Sequence, residues 1–338
     1  MASDPPEAQA SATPEDYKSA QLVNTSVVDR KTLPDGQIQA TVRIGPIKVK
    51  PHDPDDGHDD GGGHDHGGMV TPMHGGMEPM HGAMTIAFTA DLVSLCPLGC
   101  YLTSFAPDLV YPDGKRADMD TGVMLHHSVF GQWGGRDTTC AGTPIGKLFG
   151  KRYFASGNER SSGAMAKGYG VFNPPLTLNM AEIELMNMTD QPKTVYHTVT
   201  VTYVPLLGSH IKPVTPVWMD QDLCGDSEFE VPAGESHHTT EWTSTISGTV
   251  KAVGGHLHDG GDKITVSNGT TSQVWCGMTA QYGTKPSSMG HLDAITPCVG
   301  QDLGTIKKGE KIRLDSSYHI KYADKGAMAI SLVYIAES

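Results

Sequence analysis

The sequence predicts an all-β protein, built as two jelly-roll-like antiparallel β-sandwich domains with a disordered His/Met-rich insert. Three observations carry this expectation. No stretch sustains a helical hydrophobic period over about 12 residues, whereas several runs alternate apolar and polar side chains with the period of two of a half-buried strand. Turn signals such as Cys96-Pro-Leu-Gly99 and Tyr111-Pro-Asp-Gly114 punctuate those runs. At 338 residues the chain is also long for one core, so two sandwiches of about eight short strands each are expected.

Residues 1–40 read as an N-terminal tail and first strand region, because the first 20 or so are rich in Pro, Ala, Ser and Glu and have little to bury. The first sandwich is expected over 41–205. It opens with the alternating run Thr41-Val-Arg-Ile-Gly-Pro-Ile-Lys-Val-Lys50 and resumes at Met84-Thr-Ile-Ala-Phe-Thr-Ala90. Between them, residues 51–82 carry His52, His58, His64, His66, His74 and His81 with Met69, Met73, Met77 and Met80, diluted by Gly, Asp and Pro. Such a segment forms no core, and its imidazoles and thioethers suit capture or buffering of copper in either oxidation state.

Val123-Met-Leu-His-His-Ser-Val-Phe130 reads as a buried strand holding His126 and His127. Adjacent side chains of a regular strand point to opposite faces, so the two share a metal only if the strand is bulged or ends there. Buried imidazoles also demand hydrogen bonds or ligation. Ala181-Glu-Ile-Glu-Leu-Met-Asn-Met188 and Thr194-Val-Tyr-His-Thr-Val-Thr-Val-Thr-Tyr-Val204 are expected to be paired strands.

Pro and Gly in 204–213 place a domain boundary there, and the second sandwich is expected over 206–338. Thr245-Ile-Ser-Gly-Thr-Val-Lys-Ala-Val253 alternates into Gly254-Gly-His-Leu-His-Asp-Gly-Gly261. In a strand, His256 and His258 share a face and form half a metal site. His291 lies in a Cys-bounded loop, and Ala327-Met-Ala-Ile-Ser-Leu-Val-Tyr-Ile335 is the last strand. Asp259 is expected to serve as a hydrogen-bond acceptor beside the site, not as a base.

The net charge of −13 offers no basic face for nucleic acid, and no apolar run approaches the roughly 18 residues of a membrane span. A monomer is expected. Cys96, Cys100, Cys140, Cys224, Cys276 and Cys298 are an even set without a paired zinc spacing. With the sequons at Asn24, Asn187 and Asn268, they imply an oxidising, extracellular setting. The start, Met1-Ala-Ser-Asp-Pro-Pro-Glu, has no secretory leader pattern, so a leader is absent or has been removed. Six cysteines allow fifteen pairings. Cys276–Cys298 is the expected one in the second half, because it would close a Gly/Pro-rich loop.

A His-His pair in the first half, His-Xaa-His in the second and a Met opening the last strand resemble the copper type II, ascorbate-dependent monooxygenases, the group containing peptidylglycine alpha-hydroxylating monooxygenase and dopamine beta-monooxygenase. Met124-Leu-His-His127, Tyr153-Phe-Ala-Ser-Gly-Asn-Glu159 and Gly254–Gly261 also look like phrases of the stress up-regulated Nod19 family. The resemblance implies two sandwiches that each present one copper to a cleft between them. His256, His258 and Met328 would hold the copper at which O2 and substrate react, and His126 and His127 the copper that supplies an electron from an ascorbate-type reductant. At the third ligand position of the latter stands Met186. Either Met186 completes the site, or His197 does, or this copper is lost. His291 is a further candidate ligand.

The carboxylate-clamping positions of the peptide-amidating relatives are Gly254, Ile330 and Leu332 here, so an uncharged small-molecule substrate is expected. The expected function is thus a secreted copper-dependent monooxygenase that hydroxylates a C–H bond. The alternative is an extracellular protein that sequesters or delivers copper without catalysis.

Overall fold

The computed structural model describes residues 14–52, 83–89, 95–283 and 290–338. The candidate ligands His58, His64, His66, His74 and His81, and the insert's four methionines, lie outside the described residues. His52 stands at the near end of that segment, its backbone N–H donating to the Thr189 carbonyl at 2.7 Å.

The described chain is all-β, as its alternating runs predict. The helices among the described residues are short: Pro14–Lys18, Pro144–Phe149 and a single 3-10 turn, Met119–Thr121. A five-stranded sheet sets Gln21–Leu22, Ala83–Thr89, Asn179–Asn187, Val123–Gln132 and Lys151–Gly157 side by side. A second five-stranded sheet comprises Gly234–Thr243, Lys311–Ile320, Gly261–Asn268, Gln273–Tyr282 and Leu292–Ile295. Between the two runs a sheet of eleven strands.

That long sheet departs from the picture of two sandwiches facing each other across a cleft. Tyr169–Asn173 of the first half pairs in parallel with Lys212–Asp220 of the second, through Tyr169/Lys212, Gly170/Pro213 and Val171/Val214. The two halves therefore share one continuous sheet, and each small sheet covers part of it. The reason is visible in the last strand, Asp324–Glu337, whose near-continuous apolar run marks burial on both faces. Met328, Ile330, Leu332 and Tyr334 pack into the first core. Ala327, Ala329, Val333 and Ile335 pack into the second. One strand thus serves as a wall of both cores.

The disulfides are Cys96–Cys100, Cys140–Cys224 and the expected Cys276–Cys298. Cys140–Cys224 ties the halves together. Two of the three sequons are corrected by burial. Asn187 is fully buried and donates to the Lys50 and Gln191 carbonyls, while Asn268 donates to the Thr305 carbonyl and Glu310. Neither amide is free to carry a glycan.

Candidate metal centre

The adjacent histidines meet the geometric condition set for them. Along Val123–Gln132, His127 lies opposite Glu184 and Leu125 opposite Leu185, so His126 is an extra residue without a cross-strand partner on that side. A bulge of this kind rotates the strand locally and brings two consecutive side chains toward one face. Both rings turn to Glu184: His126 Nδ1 lies 3.2 Å and His127 Nδ1 3.1 Å from its Oε2. The Tyr17 hydroxyl, from the Pro14–Lys18 helix, donates to the other carboxylate oxygen, Oε1, at 3.1 Å.

His256 and His258 arrive from Gly248–Leu257, which pairs with the last strand. The His256 Nδ1 is 3.1 Å from Glu159 Oε2. Glu159 is held in turn by the Gly157 N–H, which donates to its Oε1 at 2.9 Å. His258 follows the strand end; its backbone N–H donates to the Met328 carbonyl at 3.1 Å, and its Nδ1 lies 2.7 Å from the Gly326 carbonyl. Gly157 is the position where this assembly tolerates no side chain. A Cβ there would stand 2.6 Å from His256 Cε1, 2.7 Å from the His126 carbonyl and 2.8 Å from Glu159 Oε2.

These partners determine the tautomers. A carbonyl only accepts, so the His258 Nδ1 carries the proton, and the carboxylates impose the same on the other three rings. Each Nε2 is left with its lone pair. His127 Nε2 lies 2.8 Å from His258 Nε2 and 3.1 Å from His256 Nε2. The His126 Nε2 is buried and has no hydrogen-bond partner.

Contacts of this length between ring nitrogens need a proton or a cation between them. Protonation is disfavoured: burial, reinforced by His126, pushes the His127 pKa down to about 4, and burial with the neighbouring rings holds His258 well below its ordinary value. Glu184 is also buried, but its hydrogen bonds from His126 and His127 outweigh that and keep its carboxyl ionised well below the usual range. Its neighbour Glu182 is pushed up to about 8 by burial and then by Glu184, so the two carboxyls do not both carry charge at neutral pH. Ligand atoms of His126, His127 and His258 lie within 4.8 Å of one another. A converging imidazole set of this kind fits a copper, zinc, iron or nickel ion.

The imidazole pairs expected to serve one copper in each sandwich thus lie together in one cluster. The shared sheet carries His256 and His258 onto the face of the sheet that presents His126 and His127. A cavity of about 690 Å3 opens beside it, lined by His127, His256, Glu184, Met328, Ile330 and Trp218 among others. Met328 thus shares the cavity wall with two of the imidazoles.

The remaining candidates lie elsewhere. Met186 packs with Met84, Met119 and Met124 in a separate buried cluster. His197 sits on Lys193–Pro205, which pairs with Ile38–Val49 and Cys100–Val110 in the facing sheet and not, as expected, with Asn179–Asn187, so its ring points into the first core against Phe130, 5.8 Å between centroids. His291 is engaged by Asp259, Nδ1 to Oδ2 at 2.6 Å, and the Leu292 N–H donates to Asp259 Oδ1 at 2.7 Å. Asp259 therefore acts as the expected acceptor and pins the loop that carries His291. Glu159 and Glu184 are the orienting residues that sequence reasoning missed. The available signals were two carboxylates, Glu182 and Glu184, on an otherwise apolar strand, and Glu159 within the Tyr153–Glu159 phrase.

No family model matches this chain. It is similar to two named relatives. One is the "Probable copper-dependent oxygenase M1" of Phoma sp., 28% identical over 260 residues, covering 70% of this chain and 64% of that protein. The other is the "Probable copper-dependent oxygenase clz3" of Cochliobolus lunatus, 29% identical over 254 residues, covering 68% of this chain and 77% of that protein. The matched region thus spans less than two thirds of the length of the first.

Proposed function

We propose that the chain is a copper-dependent oxygenase that hydroxylates a C–H bond of an uncharged, largely apolar small molecule, using O2 and an ascorbate-type reductant outside the cell. The observation that carries this reading is that the His127 Nε2 meets the His258 Nε2 at 2.8 Å and the His256 Nε2 at 3.1 Å, with His126 grouped beside His127 and His258, while the Nδ1 atoms of all four rings face acceptors. The names of the two relatives support copper over the other ions such a set accepts.

In this reading His126, His127, His256 and His258 would hold the copper, and Met328 would offer a thioether that favours its Cu(I) form. The bound ion supplies the one-electron and O2 chemistry that side chains lack. The chain supplies the rest. Glu184 and Glu159 hold the rings in their ligating tautomer. Tyr17 and the Gly157 N–H keep those carboxylates in place. Trp218, Phe149, Leu148 and Ile330 line the cavity with apolar surface that would position a substrate and exclude water.

Charge in the cavity argues against an anionic substrate. Glu184, Asp226 and Glu228 line it, beside a Glu182 that burial and Glu184 keep protonated. Its guanidinium, Arg152, donates from Nε to Asp137 at 2.8 Å and lies over the Trp218 ring at 4.3 Å, and its buried Nη2 has no hydrogen-bond partner. Burial of all four imidazoles favours a retained ion over the exchangeable one that a copper carrier must give up.

Copper per chain after mild chelation tests the reading. One retained copper fewer in His258→Ala than in the unsubstituted chain is the expected result, with oxygen consumption in the presence of ascorbate following that copper. Equal copper in both chains would overturn the assignment.

A further inference from the structure

The same register that aligns the histidines aligns a row of sulfur. Met84, Met186 and Met124 stand abreast on three neighbouring strands. Two residues further along Ala83–Thr89 and Asn179–Asn187, and three along Val123–Gln132 because of the bulge at His126, Ile86, Glu184 and His127 stand abreast on the same face, so the thioether row lies about 7 Å along the sheet from the row that bears the imidazole pair. Met119, from the 3-10 turn ahead of Val123, packs onto the three, with Met188 beside them. The Met119 Sδ accepts from Asn158 Nδ2 at 3.3 Å.

This cluster stands apart from both sandwich cores, and every member is a methionine. Packing alone is a poor account of that uniformity, because thioether chains are flexible gap-fillers that specify a core less well than Leu or Ile. Chemically the members have one property in common: a soft, uncharged sulfur donor. Soft thioethers select Cu(I) over divalent ions, and a single charge is also less costly than a double one to desolvate in a buried site.

We propose that Met84, Met119, Met124 and Met186 form a second metal site, which takes a soft monovalent ion, Cu(I) or its analogue Ag(I), one pleat away from the histidine cluster. It differs from the imidazole set in donor type and in oxidation-state preference, and it does not depend on the histidine cluster holding copper. The site is placed where an ion released from it stands beside the Glu184 row, from which the His126 and His127 rings are oriented.

The test is an Ag(I) titration of the full chain labelled with 13C at the methionine methyl groups. All six cysteines are in disulfides, so no thiol competes for the ion. The methyl resonances of Met84, Met124 and Met186, assigned by single Leu substitutions, should move together and saturate with one equivalent. Met124→Leu/Met186→Leu, close to volume-conserving, should bind one Ag(I) fewer. His258→Ala should leave the shifts unchanged, which separates this site from the histidine cluster. If the three resonances stay in place while other methionines or histidines take up the ion, the row is core packing and the proposal fails. Should the double variant not fold, the spectrum of the unsubstituted chain still decides.

Discussion

The Nε2 atoms of His127 and His258 stand 2.8 Å apart although 131 residues separate them in the chain. Each has its other ring nitrogen bound to an acceptor, His127 to Glu184 and His258 to the Gly326 carbonyl. Two ring nitrogens so prepared turn their lone pairs toward each other with the right chemistry to hold a cation, and the consequences can be measured.

Glu184 orients two rings with one oxygen. Glu184→Gln should preserve the shape of the site but weaken the preference for the ligating tautomer of both His126 and His127. Copper affinity, measured by competition with a chelator, should fall roughly 10- to 100-fold. An unchanged affinity would remove Glu184 from the site.

Gly157→Ala places a methyl group against His256, Glu159 and the His126 carbonyl. Since two of those contacts are with groups that position the cluster, the variant should lose copper as well as stability. The expected destabilisation in urea is about 1–3 kcal/mol. Full copper occupancy with wild-type stability would show that the backbone gives way more easily than the close approach implies.

Met328 lines the cavity beside His127 and His256, while its carbonyl accepts from the His258 N–H and the Tyr318 hydroxyl. Met328→Ile keeps that backbone and nearly the same volume. The fold and its thermal transition should survive, and ascorbate-driven oxygen consumption should be lost. Undiminished consumption would exclude the thioether from the chemistry.

His197 provides the pH test, well away from the cluster. Burial lowers its pKa to about 3, against about 6.5 in an unfolded chain. Between those values the unfolded state binds the proton and the folded state does not, so stability falls as pH drops below 6.5 and continues to fall toward 3. At pH 5 this residue should cost about 2 kcal/mol relative to pH 7.5. In the copper-free protein, His197→Leu should shrink the difference in urea stability between pH 7.5 and pH 5 by that amount. Identical pH profiles for the two chains would show that His197 is not the group responsible.

Much of the fold was legible because a period of two is a local property. The run Thr194–Val204 alternates in the sequence and lies within the strand Lys193–Pro205. The last strand was likewise legible as a strand, although its burial on both faces and the cores it serves appear only in the folded chain. His197 shows the limit. Its strand was foreseen, but whether that strand lay beside His126 or in the facing sheet depended on pairings with Ile38–Val49 and Cys100–Val110.

The sequence by itself placed His126-His127 and His256-Xaa-His258 on strands whose type their own neighbours specify. Only the tertiary structure decided that they make one cluster instead of two. The bulge at His126 exists because Glu184 pairs with His127 while Leu185 pairs with Leu125, a relation between strands that no local pattern encodes. The parallel pairing of Tyr169–Asn173 with Lys212–Asp220 joins the halves. Register and sheet order depend on how distant apolar faces bury one another, so the spacing of the four imidazoles was settled by packing across the whole chain.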